Sequence, residues 1–168
     1  MINVLFICHG NICRSPMAEF VFKDLVWKSG LPKGMIGEIS SAATSTEEIG
    51  NGVYPPARQV LAEHGISCNG KTARQVNRSD YERYTHIVGM DRTNMRNLKF
   101  LFGGDPDGKC SLLLDHLPKG HPDFGRDVAD PWYTGNFNRT WDDVLMGCKA
   151  LLTELVLRRK EWGATDGK

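Results

Sequence analysis

Apolar residues recur along this chain in two patterns: short runs typical of buried strands and longer stripes typical of helices. The first run, Val4–Ile7, is followed by apolar positions at helical spacing up to Leu25. Further short runs at 38–43, 86–90 and 111–114 predict three more strands. Because helical segments separate these four runs, the pattern predicts an α/β fold in three layers, with a four-stranded parallel sheet between helices.

Helical segments occupy the stretches between and after the predicted strands. The second helix is expected to begin at Pro55. Ser79 and Glu82 suit a capping box that would start a short third helix, and Asp91 precedes a fourth. The last segment carries the clearest stripe of core positions, which are Trp141, Val144, Leu145, Cys148, Leu151, Leu152, Leu155 and Val156.

Length and composition predict one ordinary globular domain. The chain has 168 residues, a formal net charge of +1 and 40% hydrophobic residues. We therefore expect a single domain over 1–168, with a core over 1–158 and a polar tail over 159–168. The charge balance gives no indication of nucleic acid as a partner. No apolar run approaches the ~20 residues of a membrane span, so no membrane partner is expected either.

The number and spacing of the cysteines indicate the cellular compartment. Five cysteines, an odd number without paired short spacing, predict reduced thiols and a cytoplasmic location. The first predicted strand begins within three residues of Met1, which is not expected to leave room for a signal peptide. No CxxC or Cys/His pair has metal-ligand spacing, so we expect neither a metal site nor a cofactor.

The stretch Val4–Pro16 combines a strand, a tight loop and a helix start. Cys8 follows the strand directly, while Ser15 and Pro16 predict the helix, with Ser15 as its N-cap. Unpaired N–H groups and the helix dipole would favour an anion there, and a thiolate over a thiol at Cys8. Arg14 adds a planar guanidinium that matches two oxyanion oxygens. A nucleophile, an anion cradle and a cation this close predict phosphoryl transfer through a cysteinyl-phosphate.

A second candidate lies in the segment 115–136, which is rich in Pro, Gly, His and Asp. A loop this long in a compact domain is usually functional. Cysteinyl-phosphate chemistry needs an acid to protonate the leaving oxygen and then a base to activate water, and one carboxylate can serve both steps. Asp130 before Pro131 is a candidate, although the spacing alone is equally typical of a turn.

The segments CHGNICRSP at 8–16 and DPWY at 130–133 together resemble the low-molecular-weight protein-tyrosine phosphatases, over nearly the whole chain. The resemblance implies a four-stranded, doubly wound sheet with a phosphate-binding loop after the first strand. It implies that Cys8 is the nucleophile, Arg14 binds phosphate and Asp130 is the general acid and base. The loop would consist of Cys8, His9, Gly10, Asn11, Ile12, Cys13, Arg14 and Ser15. The implied substrates are phosphotyrosine-containing proteins or aryl phosphates, with phosphate or a similar oxyanion held in the loop.

The resemblance also implies roles for neighbouring residues. Ser15 would donate to the Cys8 thiolate, a role that stands beside the N-cap role, and Asn11 would brace the loop. Cys13, five residues from Cys8, either packs at the helix start or forms a disulfide with Cys8 that protects the nucleophile from over-oxidation. The crevice for the substrate ring would be walled by Ile12, Glu47, Trp132 and Tyr133.

Three residues depart from the family's usual pattern. Glu47 stands where an aromatic residue often lines the crevice, and Pro56 replaces a frequent Asp. Lys71 lies where many members carry a His linked to the polar network of the loop. Because none of these positions touches the Cys–Arg–Asp core, we expect effects on substrate preference and stability rather than a loss of activity.

Two other activities are alternatives. Relatives that hydrolyse phosphoarginine share this loop but carry Thr in place of Ile12, whose bulk should favour an aromatic ester over a guanidinium phosphate. Arsenate reductases of similar fold need two cysteines after the third strand, where this chain has Gly-Met-Asp at 89–91. Cys68, Cys110 and Cys148 are scattered in sequence. Phosphotyrosine hydrolysis is therefore the leading interpretation.

Overall fold

A computed structural model describes the backbone of residues 1–165 and the side chains of residues 1–160. Four parallel strands in the order β2-β1-β3-β4 form one sheet. The strands are β1 (Ile2–Cys8), β2 (Ile36–Ala43), β3 (His86–Gly89) and β4 (Cys110–Leu112). The helices are α1 (Arg14–Lys28), α2 (Pro55–Glu63), α3 (Arg78–Arg83), α4 (Arg92–Phe102), α5 (Pro131–Thr134) and α6 (Phe137–Thr165), and a 3-10 helix spans Leu113–His116. The predicted fold class is confirmed.

The sheet lies between two apolar layers because successive residues of β1 point to opposite faces. Val4 and Phe6 pack in a cluster with residues of α1, α2 and α6. Leu5 and Ile7 pack in a second cluster with residues of α3 and α4. Cys8 belongs to the first cluster, so the last side chain of β1 lies on the α1 side of the sheet.

Two strand ends differ from their predictions. β3 ends at Gly89 instead of residue 90, and β4 spans Cys110–Leu112 instead of 111–114. Leu113 and Leu114 begin the 3-10 helix, and both are fully buried, so their apolar character reflects packing rather than strand pairing. A Cβ at Gly147 of α6 would collide with Leu113, and this close approach requires glycine.

The start of α1 also differs, and the prediction that Ser15 is its N-cap is wrong. Cys13 is the N-cap, and its carbonyl accepts the Met17 N–H at 3.1 Å, which closes the first turn. Pro16 is therefore the third helical residue, where its missing N–H would have had no helical acceptor. The earlier start brings the side chains of Arg14 and Ser15 into the first turn.

The short helix α3 is capped by residues other than Ser79 and Glu82. The Asp80 N–H donates to the Asn77 side chain at 3.2 Å, and the Asn77 N–H donates to Asp80 Oδ2 at 2.8 Å. This reciprocal pair is a capping box. The predicted Ser79–Glu82 box is therefore wrong, and the helix begins earlier than that prediction.

The other two helix starts agree with their predictions. Pro55 and Pro56 occupy the first turn of α2, where a missing N–H has no consequence for helical hydrogen bonding. Pro56 is therefore compatible with this helix although it replaces an Asp that is frequent in the family. Asp91 is the N-cap of α4 and accepts the Asn94 N–H at 2.7 Å.

The last helix, α6, packs against α1 and continues to Thr165, beyond residue 158. Five of the eight predicted core positions are buried, and Leu145, Leu152 and Val156 are half-buried. The buried positions are Trp141, Val144, Cys148, Leu151 and Leu155. Among the described residues, no helix has the length and apolar character needed to cross a membrane.

Candidate active site

A cavity of about 220 Å³ opens at the carboxyl end of β1. In an open α/β sheet, this is the edge at which ligands bind. Its lining includes all four residues predicted for the substrate crevice and all three predicted for the chemistry. The lining residues are Cys8, His9, Gly10, Ile12, Cys13, Arg14, Glu47, Glu48, Asp130, Trp132 and Tyr133.

The Cys8 sulfur lies in this cavity among hydrogen-bond donors, although the residue is only 3% exposed. The Asn11 N–H donates to Cys8 Sγ at 3.3 Å, and Ser15 Oγ lies 3.0 Å from the same sulfur. Asn11 adopts a left-handed conformation with φ of 60°, which aims its N–H back into the loop. The loop is therefore folded around the sulfur.

The Asn11 side chain determines which way these hydrogen bonds run. Its Oδ1 accepts the Arg74 N–H at 3.3 Å, which orients the amide. Its Nδ2 then donates to Ser15 Oγ at 2.8 Å and to Ser41 Oγ at 2.9 Å. Because Ser15 Oγ accepts from Asn11, its own hydrogen is free to be donated to Cys8 Sγ. The geometry thus favours the donor role of Ser15 over the predicted capping role.

The hydrogen-bond chain continues to a buried carboxylate. Ser41 Oγ donates to Glu19 Oε1 at 2.6 Å, and the Glu19 side chain also pairs with Lys71 at 3.2 Å and Lys23 at 2.6 Å. Lys71 Nζ donates to the Ser41 carbonyl at 2.8 Å. Burial lowers the pKa of the Lys71 ammonium, and Glu19 partly offsets this effect. Lys71 therefore occupies the inner side of the loop network, and neither Glu19 nor Ser41 was predicted to take part.

Arg14 is held from two sides. Its Nη1 donates to Asp91 Oδ2 at 2.7 Å and to the Val128 carbonyl at 3.0 Å, while Nη2 donates to Asp130 Oδ2 at 3.3 Å. Burial lowers the pKa of the guanidinium, but Cys8, Asp91 and Asp130 outweigh burial and raise the pKa overall. Because Nη1 already donates to Asp91 and to the Val128 carbonyl, an oxyanion would bind the edge of the guanidinium that Nη2 and Nε form.

Asp91 was predicted only as a helix start, yet it also holds the Arg14 guanidinium at the cavity. It follows β3, the neighbour of β1 in the sheet, and its Oδ1 caps α4 while its Oδ2 accepts from Arg14. A signal for this role existed in the sequence, since an acidic residue follows a strand whose carboxyl end meets that of β1. This signal was missed because Asp91 and Arg14 are 77 residues apart in the sequence.

Asp130 is both a helix cap and a carboxylate at the cavity. Its Oδ1 accepts the Trp132 N–H at 3.0 Å as the N-cap of α5, and its Oδ2 accepts from Arg14. About a quarter of its side chain is exposed. The turn role and the catalytic role, which the sequence left open, are therefore compatible in one residue.

One wall of the cavity is aromatic. Trp132 is 56% exposed and Tyr133 is 86% exposed, so neither is a core residue. The Tyr54 ring supports Trp132 with ring centroids 5.0 Å apart, and the Tyr54 N–H donates to the Ile12 carbonyl at 2.9 Å. Tyr54, which was not predicted for the site, thus links the aromatic wall to the phosphate-binding loop.

Another part of the lining is acidic. Glu47 Oε2 lies 3.1 Å from His9 Nε2 of the loop, and Glu48, which was not predicted, accepts from Asn51 Nδ2 at 2.6 Å. The Glu48 Cγ lies 3.4 Å from the point where a Cβ on Gly10 would stand, so Glu48 packs directly over the loop.

The remaining cysteines are not gathered into a relay. Cys68 follows α2, Cys110 begins β4 and Cys148 lies on α6. Burial raises the pKa of Cys110 to about 12 and also raises that of the fully buried Cys148. Arsenate reduction through three cysteines therefore has no support here. Among residues 1–160, no group of three or more His, Cys, Asp or Glu side chains is arranged to hold a metal ion.

Comparison with known proteins gives consistent results. A family model described as low molecular weight phosphotyrosine protein phosphatase matches residues 3–161. The low molecular weight protein-tyrosine-phosphatase YfkJ of Bacillus subtilis is 40% identical over 155 residues, which covers 92% of this chain and 96% of the relative. The low molecular weight phosphotyrosine protein phosphatase of Gallus gallus is 38% identical over 153 residues, which covers 89% and 93%.

Solved structures show the same relationship. The crystal structure of YfkJ superposes with a TM-score of 0.86 at 39% identity, over 94% of this chain and 96% of that chain. The crystal structure of a Drosophila arginine phosphatase superposes with a TM-score of 0.78 at 26% identity, over 91% and 97%. The resemblance carried by the two sequence motifs is therefore confirmed, and the chain belongs to the low molecular weight phosphotyrosine protein phosphatase family.

Proposed function

We propose that this protein hydrolyses phosphotyrosine in protein substrates through a cysteinyl-phosphate on Cys8. The observation that carries this proposal is the arrangement of three groups at one cavity. The Cys8 sulfur accepts hydrogen bonds from Asn11 and Ser15, while Arg14 and Asp130 line the same space. A stabilised sulfur nucleophile, an oxyanion-binding cation and a carboxylate are the parts that such a hydrolysis needs.

In the first step, the Cys8 thiolate attacks phosphorus and the bond from phosphorus to the tyrosine oxygen breaks. The phosphoryl oxygens are held by the Nη2–Nε edge of Arg14 and by N–H groups of the loop at the start of α1. Asp130, in its protonated form, gives its proton to the departing phenolate oxygen. The substrate phosphate would take over the Arg14 Nη2, which donates to Asp130 Oδ2 at 3.3 Å.

In the second step, water attacks the cysteinyl-phosphate and the sulfur–phosphorus bond breaks. Asp130, now a carboxylate, accepts a proton from this water, so the acid of the first step is regenerated. Cys8 leaves as a thiolate that the Ser15 hydroxyl stabilises from 3.0 Å. Inorganic phosphate is the product, and no cofactor takes part in either step.

The walls of the cavity support an aromatic substrate. Trp132 and Tyr133 offer exposed rings, and Ile12 adds an aliphatic surface at the loop. Phosphoarginine is a second candidate because a Drosophila arginine phosphatase shares the fold. Ile12 favours the aromatic ester, since a guanidinium phosphate gains little from an aliphatic neighbour and loses hydration beside it.

The five free cysteines support a reducing, cytoplasmic setting for the protein. A reversible oxidation of Cys8 is also part of the proposal. Burial, with further contributions from Cys8 and Asp130, raises the pKa of Cys13 to about 12. Cys13 is therefore a protonated thiol next to a thiolate. Peroxide would convert Cys8 to a sulfenic acid, and Cys13 would then form a disulfide with release of water.

Mass spectrometry after mild peroxide treatment tests this oxidation and should find a Cys8–Cys13 disulfide. If it finds only sulfinic or sulfonic Cys8, Cys13 is a packing residue.

The proposed function is tested by Cys8→Ser. This variant should bind inorganic phosphate but should show no measurable hydrolysis of a phosphotyrosine peptide, because a serine hydroxyl lacks the thiolate's reactivity. Acid quenching of the wild-type enzyme with labelled substrate should trap label on Cys8. The control is Cys110→Ser, the same change at a half-buried cysteine on β4, which should retain activity. Turnover by Cys8→Ser would falsify the cysteinyl-phosphate mechanism.

A further inference from the structure

The charged residues that line the cavity lie at different depths, with a cation in the interior and two acids at the mouth. The buried cation Arg14, only 3% exposed, faces Cys8 and is already matched by Asp91 and Asp130. At the mouth, two further acids line the cavity, Glu47 and Glu48. Apart from Arg14, the only basic residue that lines it in the described part of the chain is His9, which pairs with Glu47. The outer wall therefore carries more negative than positive charge.

Both glutamates have a hydrogen-bond partner at or near the phosphate-binding loop. Glu47 is held by His9 at 3.1 Å, although its side chain is 69% exposed. Glu48 accepts from Asn51 at 2.6 Å and packs against Gly10. The segment just before them is attached to the phosphate-binding loop, because the Ser45 N–H donates to the His9 carbonyl at 3.0 Å. These contacts place the acidic wall beside the loop that would hold the phosphate.

A bound phosphotyrosine would bring its neighbours in the peptide to this wall. The phosphate would occupy the loop, and the ring would lie against Trp132 and Tyr133. The peptide backbone and the residues next to the phosphotyrosine then remain at the mouth of the cavity, beside Glu47 and Glu48. Cationic neighbours would be attracted there, and carboxylates would be repelled.

We infer that Glu47 and Glu48 make this enzyme select phosphotyrosine sites that have lysine or arginine next to the phosphotyrosine, and disfavour sites flanked by acidic residues. This inference rests on the proposed function, because it assigns the sequence context of the same substrate. The two glutamates act on the flanking residues, whereas Arg14 and the loop act on the phosphate. Selection by charge and recognition of phosphate are thus separate in space.

The experiment compares kcat/KM for three phosphotyrosine peptides that differ only in the two residues beside the phosphotyrosine: both lysine, both alanine or both glutamate. The wild-type order should be lysine, then alanine, then glutamate. Since exposed ion pairs contribute little, each of Glu47→Gln and Glu48→Gln should reduce the lysine-to-glutamate ratio by about two- to fivefold. Charge reversal in Glu48→Lys should reduce it further.

Two controls distinguish an effect of the glutamate charge from an effect of side-chain shape. Glu82→Gln removes an equal charge from an exposed position on α3 and should leave the ratio unchanged. Glu47→Asp keeps the charge and should keep most of the preference. Raising ionic strength from about 0.02 M to about 0.5 M should shrink the wild-type ratio because salt screens exposed charges, an effect that a purely steric wall would not show.

Two results would overturn the inference without touching the proposed function. One is equal kcat/KM for all three peptides, and the other is a preference that persists unchanged in the Glu47→Gln and Glu48→Gln variants. A failure to hydrolyse any of the three peptides, in a protein that still binds inorganic phosphate, would instead overturn the proposed function.

Discussion

The two sides of the phosphate-binding loop are built in opposite ways. On the inner side, Asn11, Ser15 and Ser41 are almost fully buried, and they are linked to the buried Glu19 through hydrogen bonds of 2.6–2.9 Å. On the outer side, Trp132, Tyr133 and Glu47 are exposed, and Glu48 is half-buried. The inner network and the outer rim meet at the loop itself.

The difference reflects the cost of leaving a buried polar group unpaired. Such a group loses its hydration, so an inner residue that lost its partner would destabilise the fold as well as the site. Rim residues keep contact with water and can change with little effect on folding. The comparison therefore predicts that inner substitutions affect stability and the rate of chemistry together, whereas rim substitutions affect the choice of substrate.

The largest effect is expected at Asp130, which lies between the two regions and contacts Arg14. For phosphotyrosine the leaving phenol has a pKa near 10, so its departure needs a proton. General acid catalysis is typically worth about 10²–10⁴-fold, and Asp130→Ala should lose about that factor on phosphotyrosine. An aryl phosphate with a strongly acidic leaving phenol should lose much less in a single-turnover measurement of phenol release.

The control for this prediction is Asp127→Ala, in the same loop. Asp127 pairs with the exposed Arg92 at 3.2 Å, so its loss should disturb the loop without removing a group at the cavity. If Asp130→Ala loses the same factor for every leaving group, Asp130 only holds the loop in place. The general acid would then have to be sought elsewhere, for example at Asp115 or Asp123.

The next effect concerns the inner network, where Lys71 and Lys23 bind different oxygens of Glu19. The Lys71 side chain is 11% exposed and also holds the Ser41 carbonyl, whereas Lys23 is 44% exposed. Lys71→Met should lower the free energy of unfolding by about 1–3 kcal/mol, because the buried Glu19 carboxylate loses a cation and the Ser41 carbonyl loses a donor. Lys23→Met should cost less than about 1 kcal/mol, as for other exposed pairs.

Urea unfolding and steady-state kinetics of both variants would test this prediction. We expect kcat to fall more for Lys71→Met, because Ser41 and Asn11 would lose part of the support that positions the loop. The double variant Glu19→Gln/Lys71→Met should lose less stability than the sum of the single changes, since it leaves no unpaired charge in the interior and the Lys23 ammonium, 44% exposed, stays in contact with water. Equal losses for Lys23→Met and Lys71→Met would contradict the distinction between buried and exposed partners.

The smallest effect is expected where the two regions meet, at Ile12. It is 9% exposed and packs with Tyr54 and Phe137 while lining the cavity. Ile12→Thr should change the ratio of kcat/KM for phosphotyrosine and phosphoarginine by about tenfold in favour of phosphoarginine, the lower end of what one apolar group is worth in a pocket.

The matched control for Ile12→Thr is Ile49→Thr, the same substitution at an exposed position beyond the acidic wall. In this variant, the ratio of kcat/KM for phosphotyrosine and phosphoarginine should stay at the wild-type value. A ratio that is unchanged in Ile12→Thr, or one that changes equally in both variants, would show that Ile12 does not select the substrate.

Local features of the site were predictable from the sequence because they depend on residues close together in the chain. Cys8, Arg14 and the apolar run before them predicted a strand, an anion-binding loop and a helix start. The motif that contains Asp130 completed the resemblance to the family. Even here the predicted helix start was two residues off, since the N-cap is Cys13 rather than Ser15, and the Ser15 hydroxyl contacts Cys8 instead.

Only the tertiary structure decided which distant residues meet at the loop. Asp91 reaches Arg14 because β3 pairs directly with β1, and the crossover that places β2 on the other side brings Ser41 to Asn11. Neither contact leaves a local pattern, because Asp91 looks like a helix cap and Ser41 like a small strand residue. Hydrogen bonds between side chains far apart in sequence depend on how the strands are ordered, and burial then makes each of those bonds costly to lose.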